Sequence, residues 1–254
     1  MTTNGGTQTS CSAWHGFSSL VGAGRRAVEG LVGLLFPPHC ALCGRRLDSL
    51  RILCPECEAD LPALSGSRCR RCGEELLDPA VDLCLRCGTR ERAVDRFASL
   101  GPYEGPWGEL VRALKFGGEA AVGRFLTVRM TDWIRSNDVA ETVDLITYVP
   151  MSPDDRRKRG FNQAELLARG IARRLRRPVC RTLTKVRRTP PQGRLTAKQR
   201  RTNLRDAFRP VRYGRERVLL VDDIGTTGST AEECARVLKR GGYESVVVLT
   251  VARA

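Results

Sequence analysis

Histidine is scarce in this chain, and long hydrophobic runs are missing altogether. Only His15 and His39 occur among 254 residues, which argues against a catalytic zinc centre, since such centres often use histidine ligands. The apolar stretch at residues 18–36 is interrupted by charged side chains, whereas a membrane-spanning helix needs about 20 mostly apolar residues. The sequence therefore predicts no integral membrane insertion and, without a convincing signal peptide, a reduced cytoplasmic protein.

Acidic residues are few in one long segment. Between Met151 and Arg217 there are 22 Lys or Arg and 5 Asp or Glu, a local balance of +17 in a chain of net charge +15. This segment favours polyanionic partners, either phosphate-rich small molecules or nucleic acid, although a solvated arginine-rich face has the same composition. The run Arg156, Arg157, Lys158, Arg159 is the candidate nucleic-acid contact. Base stacking calls for aromatic residues, and only Phe161, Phe208 and Tyr213 lie near this run, so sequence-specific reading is not expected.

Four segments follow one another along the sequence. We expect a disordered tail at 1–17, an amphipathic helix at 18–38, a cysteine-rich module at 39–90 and an α/β domain at 95–254. Strands are predicted at 97–101, 145–149, 218–222 and 245–251, and helices at 106–114, 121–135, 162–175 and 230–241. This alternation predicts a parallel sheet flanked by crossover helices.

Eight of the eleven cysteines form four Cys-x-x-Cys pairs. The pairs are Cys40 with Cys43, Cys54 with Cys57, Cys69 with Cys72, and Cys84 with Cys87. Two such pairs complete a tetrahedral Zn²⁺ site, so the eight cysteines predict two zinc ions with a structural role. Glycines after the second cysteine of three pairs suit a tight turn around the sulfurs. Sequential pairing is preferred, but a crossed arrangement has the same spacing.

The segment at residues 218–230 has the pattern of a phosphate-binding loop. Four apolar residues predict a buried strand, which ends in Asp222 and Asp223 and leads through a Gly/Thr-rich turn into a helix N-terminus. Carboxylates beside a phosphate site suit a ligand that also offers hydroxyl donors, as ribose 5-phosphate does. The candidate ligand contacts are Asp222, Asp223, Gly225, Thr226, Thr227, Gly228, Ser229 and Thr230.

Several separate motifs resemble those of the ComF family, also called ComF/GntX-like. They are Pro37-Pro38-x-Cys40-x-x-Cys43-Gly44, Leu114-Lys115-Phe116-Gly117, Arg159-Gly160-Phe161-Asn162-Gln163, Gln192 followed by Arg201-x-Asn203, Ala207-Phe208, and the loop at 218–230. The loop is similar to the phosphoribosyl pyrophosphate (PRPP) signature of type I phosphoribosyltransferases, with Gly225 where an aliphatic residue is commoner. The resemblance implies a type I phosphoribosyltransferase-like α/β fold and a part in DNA uptake during natural transformation.

By the same resemblance, three loops surround PRPP. Asp222 and Asp223 hold the ribose hydroxyls, residues 226–230 hold the 5′-phosphate, and the pyrophosphate contacts are Pro150, Met151, Ser152 and Lys115. A mobile loop at 187–203 closes over the site. Departure of pyrophosphate requires charge neutralisation, which Mg²⁺ and basic side chains supply. The candidate catalytic residues are Arg187, Arg188, Arg194, Lys198, Arg200 and Arg201.

Three functions are compatible with these patterns. The first is a phosphoribosyltransferase with an unidentified acceptor. The second is a non-catalytic competence protein that binds single-stranded DNA, with PRPP as a regulatory ligand and competence or recombination proteins as candidate partners. The third, a zinc-dependent docking protein, explains the cysteines but leaves the loop at 218–230 without a role.

Overall fold

The apolar run Val218–Val221 lies in the middle of a four-stranded parallel sheet and is completely shielded from solvent. The computed structural model describes residues 38–48, 51–116, 120–187 and 204–254. The sheet contains β1 (Arg96–Pro102), β2 (Leu145–Tyr148), β5 (Arg217–Gly225) and β6 (Ser245–Arg253), in the order β1-β6-β5-β2. A short antiparallel pair, β3 (Leu183–Lys185) and β4 (Phe208–Pro210), lies outside this sheet.

Successive side chains of β5 point to opposite faces of the sheet. Both faces are therefore apolar, and helices cover both. Leu219 and Val221 pack in one cluster with α3 (Pro106–Phe116), α4 (Ala120–Ser136) and α6 (Gln163–Leu175). Val218 and Leu220 pack in the other with α7 (Ser229–Arg240). Two one-turn helices, α1 (Pro55–Ala59) and α2 (Leu85–Gly88), belong to the cysteine module, and α5 (Pro153–Arg159) follows β2.

The cysteine module packs against the β1 side of the α/β domain. In its first half, the Pro62 carbonyl oxygen accepts a 2.7 Å hydrogen bond from the Trp107 indole of α3. In its second half, the Arg70 carbonyl oxygen accepts a 2.7 Å hydrogen bond from the Phe97 amide of β1. The module therefore covers the edge strand of the sheet.

The predicted fold class is confirmed: a cysteine-rich module precedes a parallel sheet flanked by helices. The four predicted strands and four predicted helices are all present, with ends that differ by a few residues. Sequence analysis missed the one-turn helices α1 and α2, helix α5 and the β3/β4 pair. The predicted tail and first helix, at residues 1–37, lie outside the described residues. Within the described ranges, no helix combines the length and apolarity needed to cross a membrane.

Candidate functional site

The eight paired cysteines form two separate clusters. Cys40, Cys43, Cys54 and Cys57 make one, and Cys69, Cys72, Cys84 and Cys87 make the other, each with sulfurs within 4.8 Å of one another. The Sγ atoms of Cys43 and Cys54 are 3.8 Å apart, and those of Cys72 and Cys84 are 3.7 Å apart. A ZnS₄ tetrahedron with Zn–S bonds of about 2.3 Å has edges of about 3.8 Å, so both clusters fit Zn²⁺. The grouping agrees with sequential pairing of the knuckles.

Backbone amides directed at the sulfurs favour the thiolate form that zinc binds. Burial opposes ionisation of Cys40, but hydrogen bonds from the Cys43, Cys54 and Leu42 amides outweigh it and lower the pKa of Cys40 to about 6. The same balance lowers the pKa of Cys69 to about 7. Gly44 has a φ of 71° and Gly73 one of 70°, as expected for the turn after a knuckle, whereas Gly88 lies at the end of α2 without a positive φ.

Strand β5 carries two adjacent carboxylates to the edge where the phosphate loop begins. It stays paired with β6 as far as Gly225. Gly228 then adopts a φ of 71° as the N-cap of α7, so this cap position supplies no capping side chain to the first amides of the helix. The hydroxyls of Thr227 and Ser229 lie 2.7 Å apart beside these amides. Helix amides, hydroxyls and a wrapped backbone together suit a phosphate group.

The two carboxylates have different surroundings. Burial and the neighbouring charge of Asp223 raise the pKa of Asp222 well above its usual value, although Asp222 Oδ1 also accepts a 2.9 Å hydrogen bond from the Asp223 amide. Asp223 instead pairs with Lys115, whose Nζ lies 3.0 Å from its Oδ2 at the end of α3. Lys115, which the sequence predicts to contact pyrophosphate, therefore lies beside the acidic pair.

Lys185 of β3 is a second cation near this pair, and sequence analysis missed it. Burial lowers its pKa, while the charges of Asp155 and Asp222 act in the opposite direction. A short strand with a single lysine carries no motif, so only the fold brings Lys185 to the carboxylates.

Gly225 is explained by an aromatic ring from another strand. A Cβ built on Gly225 would lie 2.5 Å from Phe97 Cζ, and one built on Gly73 would lie 2.8 Å from Phe97 Cδ1. The Phe97 ring thus occupies a slot between the second cysteine cluster and the phosphate loop. The Arg253 guanidinium lies over the ring, 5.2 Å from its centroid. The aromatic ring fills the space that a larger residue at position 225 would need.

A cavity of about 380 Å³ opens beside the hydroxyls of the phosphate loop. Its described walls combine Thr227 and Ser229 with five arginines and two glutamates: Arg86, Arg92, Arg205, Arg236, Arg240, Glu232 and Glu233. Arg92 Nη2 lies 3.8 Å from the Cβ position of Gly228, and Arg92 Nε is 3.0 Å from Glu232 Oε2. Arginines from the second cysteine cluster and the following linker therefore reach the phosphate loop.

The predicted pyrophosphate turn lies beside the loop because β2 and β5 are parallel neighbours. Pro150 is buried, Met151 is partly exposed, and Ser152 caps α5 by accepting a 3.2 Å hydrogen bond from the Asp155 amide. Asn162 donates to the Val149 carbonyl oxygen over 3.0 Å and holds the end of β2.

The basic run at 156–159 is helical rather than extended. It forms the last turn of α5, where Arg156 pairs with Glu165 over 3.2 Å and Arg157 pairs with Asp154. Lys158 and Arg159 are exposed. Internal ion pairs thus engage two of the four cations predicted to contact nucleic acid.

The predicted closing loop begins where β3 ends and finishes before β4. Of its candidate catalytic residues, only Arg187 is described, and its guanidinium donates to the Arg205 carbonyl oxygen over 2.9 Å. Arg188, Arg194, Lys198, Arg200 and Arg201 lie outside the described residues. The Val186 amide donates to the Ala207 carbonyl oxygen over 2.9 Å, so the two ends of this segment are held together.

Known proteins match both the cysteine-rich module and the α/β domain of this chain. The family described as "Double zinc ribbon domain" matches residues 31–90. Competence protein F of Haemophilus influenzae is 33% identical over 211 residues, which cover 80% of this chain and 90% of that protein. DNA utilization protein YhgH of Salmonella typhimurium is 34% identical over 225 residues, covering 84% and 89% respectively.

A more distant match is a solved structure titled "Structure of the allosteric regulatory enzyme of purine biosynthesis". It is 23% identical with a TM-score of 0.33, and the match covers 50% of this chain but only 25% of that one. Together, the fold, the cysteine clusters and the family match define an α/β protein with a double zinc ribbon, whose two zinc sites are structural. With relatives above 30% identity over most of its length, the chain belongs to the ComF family.

Proposed function

We propose that this protein binds Mg²⁺-PRPP at the loop 222–230 and is a phosphoribosyltransferase-like protein whose acceptor is unidentified. The observation that carries the proposal is the combination of two adjacent carboxylates with an α7 N-terminus whose cap is Gly228. Ribose hydroxyls suit the carboxylates and a dianionic phosphate suits the helix amides, so one ribose 5-phosphate unit satisfies both.

The surrounding charges support the same ligand. Asp222 and Asp223 accept hydrogen bonds from the ribose hydroxyls, and residues 226–230 hold the 5′-phosphate. Lys115 and the turn at 150–152 take the pyrophosphate side, and Mg²⁺ bound to pyrophosphate neutralises the leaving group. Arg92, although paired with Glu232, places further guanidinium donors on the 5′-phosphate side, because its Nη2 lies beside Gly228.

Isothermal titration of Mg²⁺-PRPP into the zinc-loaded protein tests this proposal. Saturable binding is expected for the wild type and should be lost in the Asp222→Asn/Asp223→Asn variant. Asp132→Asn is a matched control because Asp132 is an exposed carboxylate on α4. Absence of binding to the folded wild type, or equal binding to the double variant, would contradict the proposal. Pyrophosphate release with a panel of nucleobases then tests phosphoribosyl transfer.

We also propose a second candidate function: binding of single-stranded DNA during DNA uptake, with competence or recombination proteins as partners and the cytoplasm as the site of action. Relatives named for competence and DNA utilization support it, as does the +17 balance between Met151 and Arg217. If phosphate contacts drive binding, affinity for an oligothymidylate falls steeply as salt rises. An affinity that is flat between low and high salt would count against this function.

A further inference from the structure

A second cavity, of about 410 Å³, lies on the other side of the Phe97 ring from the phosphate loop. Its walls come from the second zinc ribbon, strand β1, helix α4 and the end of β6. We call it the arginine groove, after four of its lining residues: Arg68, Arg70, Arg96 and Arg253.

Positive charge predominates in the groove, although the Cys69 sulfur of the second zinc cluster also lines it. The described residues that line it include these four arginines and not one aspartate or glutamate. Arg68 is partly neutralised by Glu75 at 3.5 Å. Arg70 is exposed, and its side chain makes no ion pair with any described residue. Guanidinium groups only donate hydrogen bonds, so the groove suits a ligand with anionic acceptor oxygens.

Arg253 adds an unsatisfied donor to this charge. Its Nη1 is completely buried and has no hydrogen-bond partner within the described part of the chain. The same atom lies 3.2 Å from the Cβ position of Gly73, at the wall formed by the second ribbon. A buried donor without an acceptor costs free energy. Arg253 as a whole is partly exposed and lines the groove, so it also adds positive charge there.

The groove also offers flat and apolar surface. The Arg96 guanidinium lies 5.3 Å from the centroid of the Trp133 ring, and that of Arg253 lies 5.2 Å from the Phe97 ring. Leu64 and Leu100 line the space between them. Guanidinium planes and aromatic rings both stack on nucleobases, and a cavity of this size is within the range that admits a nucleotide.

We propose that the arginine groove binds single-stranded DNA, with phosphates on the arginines and bases against Trp133 and the leucine surfaces. The proposal rests on the second candidate function and gives it a site that shares only the Phe97 wall with the PRPP loop. It is separate from the basic run of α5, whose exposed members are Lys158 and Arg159.

Fluorescence anisotropy with a labelled oligothymidylate of roughly ten nucleotides tests the groove. Each phosphate contact on a single strand contributes a salt slope of about 0.7, so losing one weakens binding about five-fold at 0.1 M salt. We expect this loss for Arg70→Ala, whose exposed side chain has no structural role, and a larger loss for Arg70→Ala/Arg253→Gln. Arg51→Ala is the matched control, since it removes one exposed arginine of the zinc module outside the groove.

The outcomes separate this site from the function on which it rests. If the wild type does not bind the oligonucleotide, both the groove and the second candidate function fail. If the wild type binds but Arg70→Ala has the same affinity as Arg51→Ala, the function survives and the groove is wrong. A lower affinity of Lys158→Ala/Arg159→Ala would then place the DNA on α5 instead. Should Arg253→Gln unfold the protein, Arg70→Ala alone decides between these outcomes. A five-fold loss of affinity in Arg70→Ala, with a shallower dependence of affinity on salt, supports the groove.

Discussion

Replacing Gly225 with alanine should push a methyl group into the Phe97 ring. The added Cβ would lie 2.5 Å from Phe97 Cζ, about 1 Å inside the ordinary carbon–carbon contact of 3.5–4.0 Å. The ring has little room to retreat, because Gly73 borders its other side and the Arg253 guanidinium lies over its face. Overpacking of this kind costs about 2 kcal/mol, which corresponds to a decrease in Tm of about 4–8 °C for a chain of this size.

Differential scanning calorimetry of zinc-loaded protein measures the effect. Gly88→Ala is the matched control, because a Cβ there meets nothing within 4 Å and its φ is not positive. A shorter residue at position 97 should absorb part of the strain, so Phe97→Leu/Gly225→Ala should lose about 1 kcal/mol less than the sum of the single changes. An unchanged or higher Tm for Gly225→Ala would refute the packing explanation of this glycine.

Three further predictions concern charge and metal. Burial and the Asp223 charge raise the pKa of Asp222, so the folded state holds a proton that the unfolded state releases above about pH 4. Asp222→Asn should therefore match the wild type in unfolding free energy at pH 4 and exceed it increasingly as pH rises; equal values at pH 8 would contradict this. Lys115→Met should lower the free energy of unfolding by about 2–3 kcal/mol. This loss is smaller than for breaking a fully buried ion pair, because the Lys115 and Asp223 side chains keep 16% and 15% exposure. Urea unfolding at neutral pH measures that loss. Elemental analysis should find two zinc ions per chain and one in Cys69→Ser, whereas Cys234→Ala, outside both clusters, should keep two.

The sequence predicted those parts of the fold in which local pattern and tertiary structure agree. The run Val218–Val221 has no polar residue to interrupt it, so its burial could be inferred directly. The zinc clusters were equally predictable in number, because ligand spacing is local, but the choice between sequential and crossed pairing depends on the tertiary fold. In the fold, Cys43 lies against Cys54 and Cys72 against Cys84.

Other features depended on contacts between distant residues. Helix α5 was missed because its basic residues show no apolar periodicity, although Ser152 followed by Pro153 was an available start signal. Gly225 could be seen as a departure from the usual loop pattern, but its cause lies on β1, at Phe97. Lys185 approaches Asp222 only because β3 packs beside α7.

The position of the zinc module against β1 has a consequence for the solubility of the protein. Strand β1 is the edge of the sheet, and the amide of Phe97 finds its partner in the second ribbon, at the Arg70 carbonyl oxygen. An uncovered edge strand is a template for pairing with another chain. Loss of zinc would loosen the module that covers this edge, so metal-depleted protein should self-associate through β1 and be lost to aggregation.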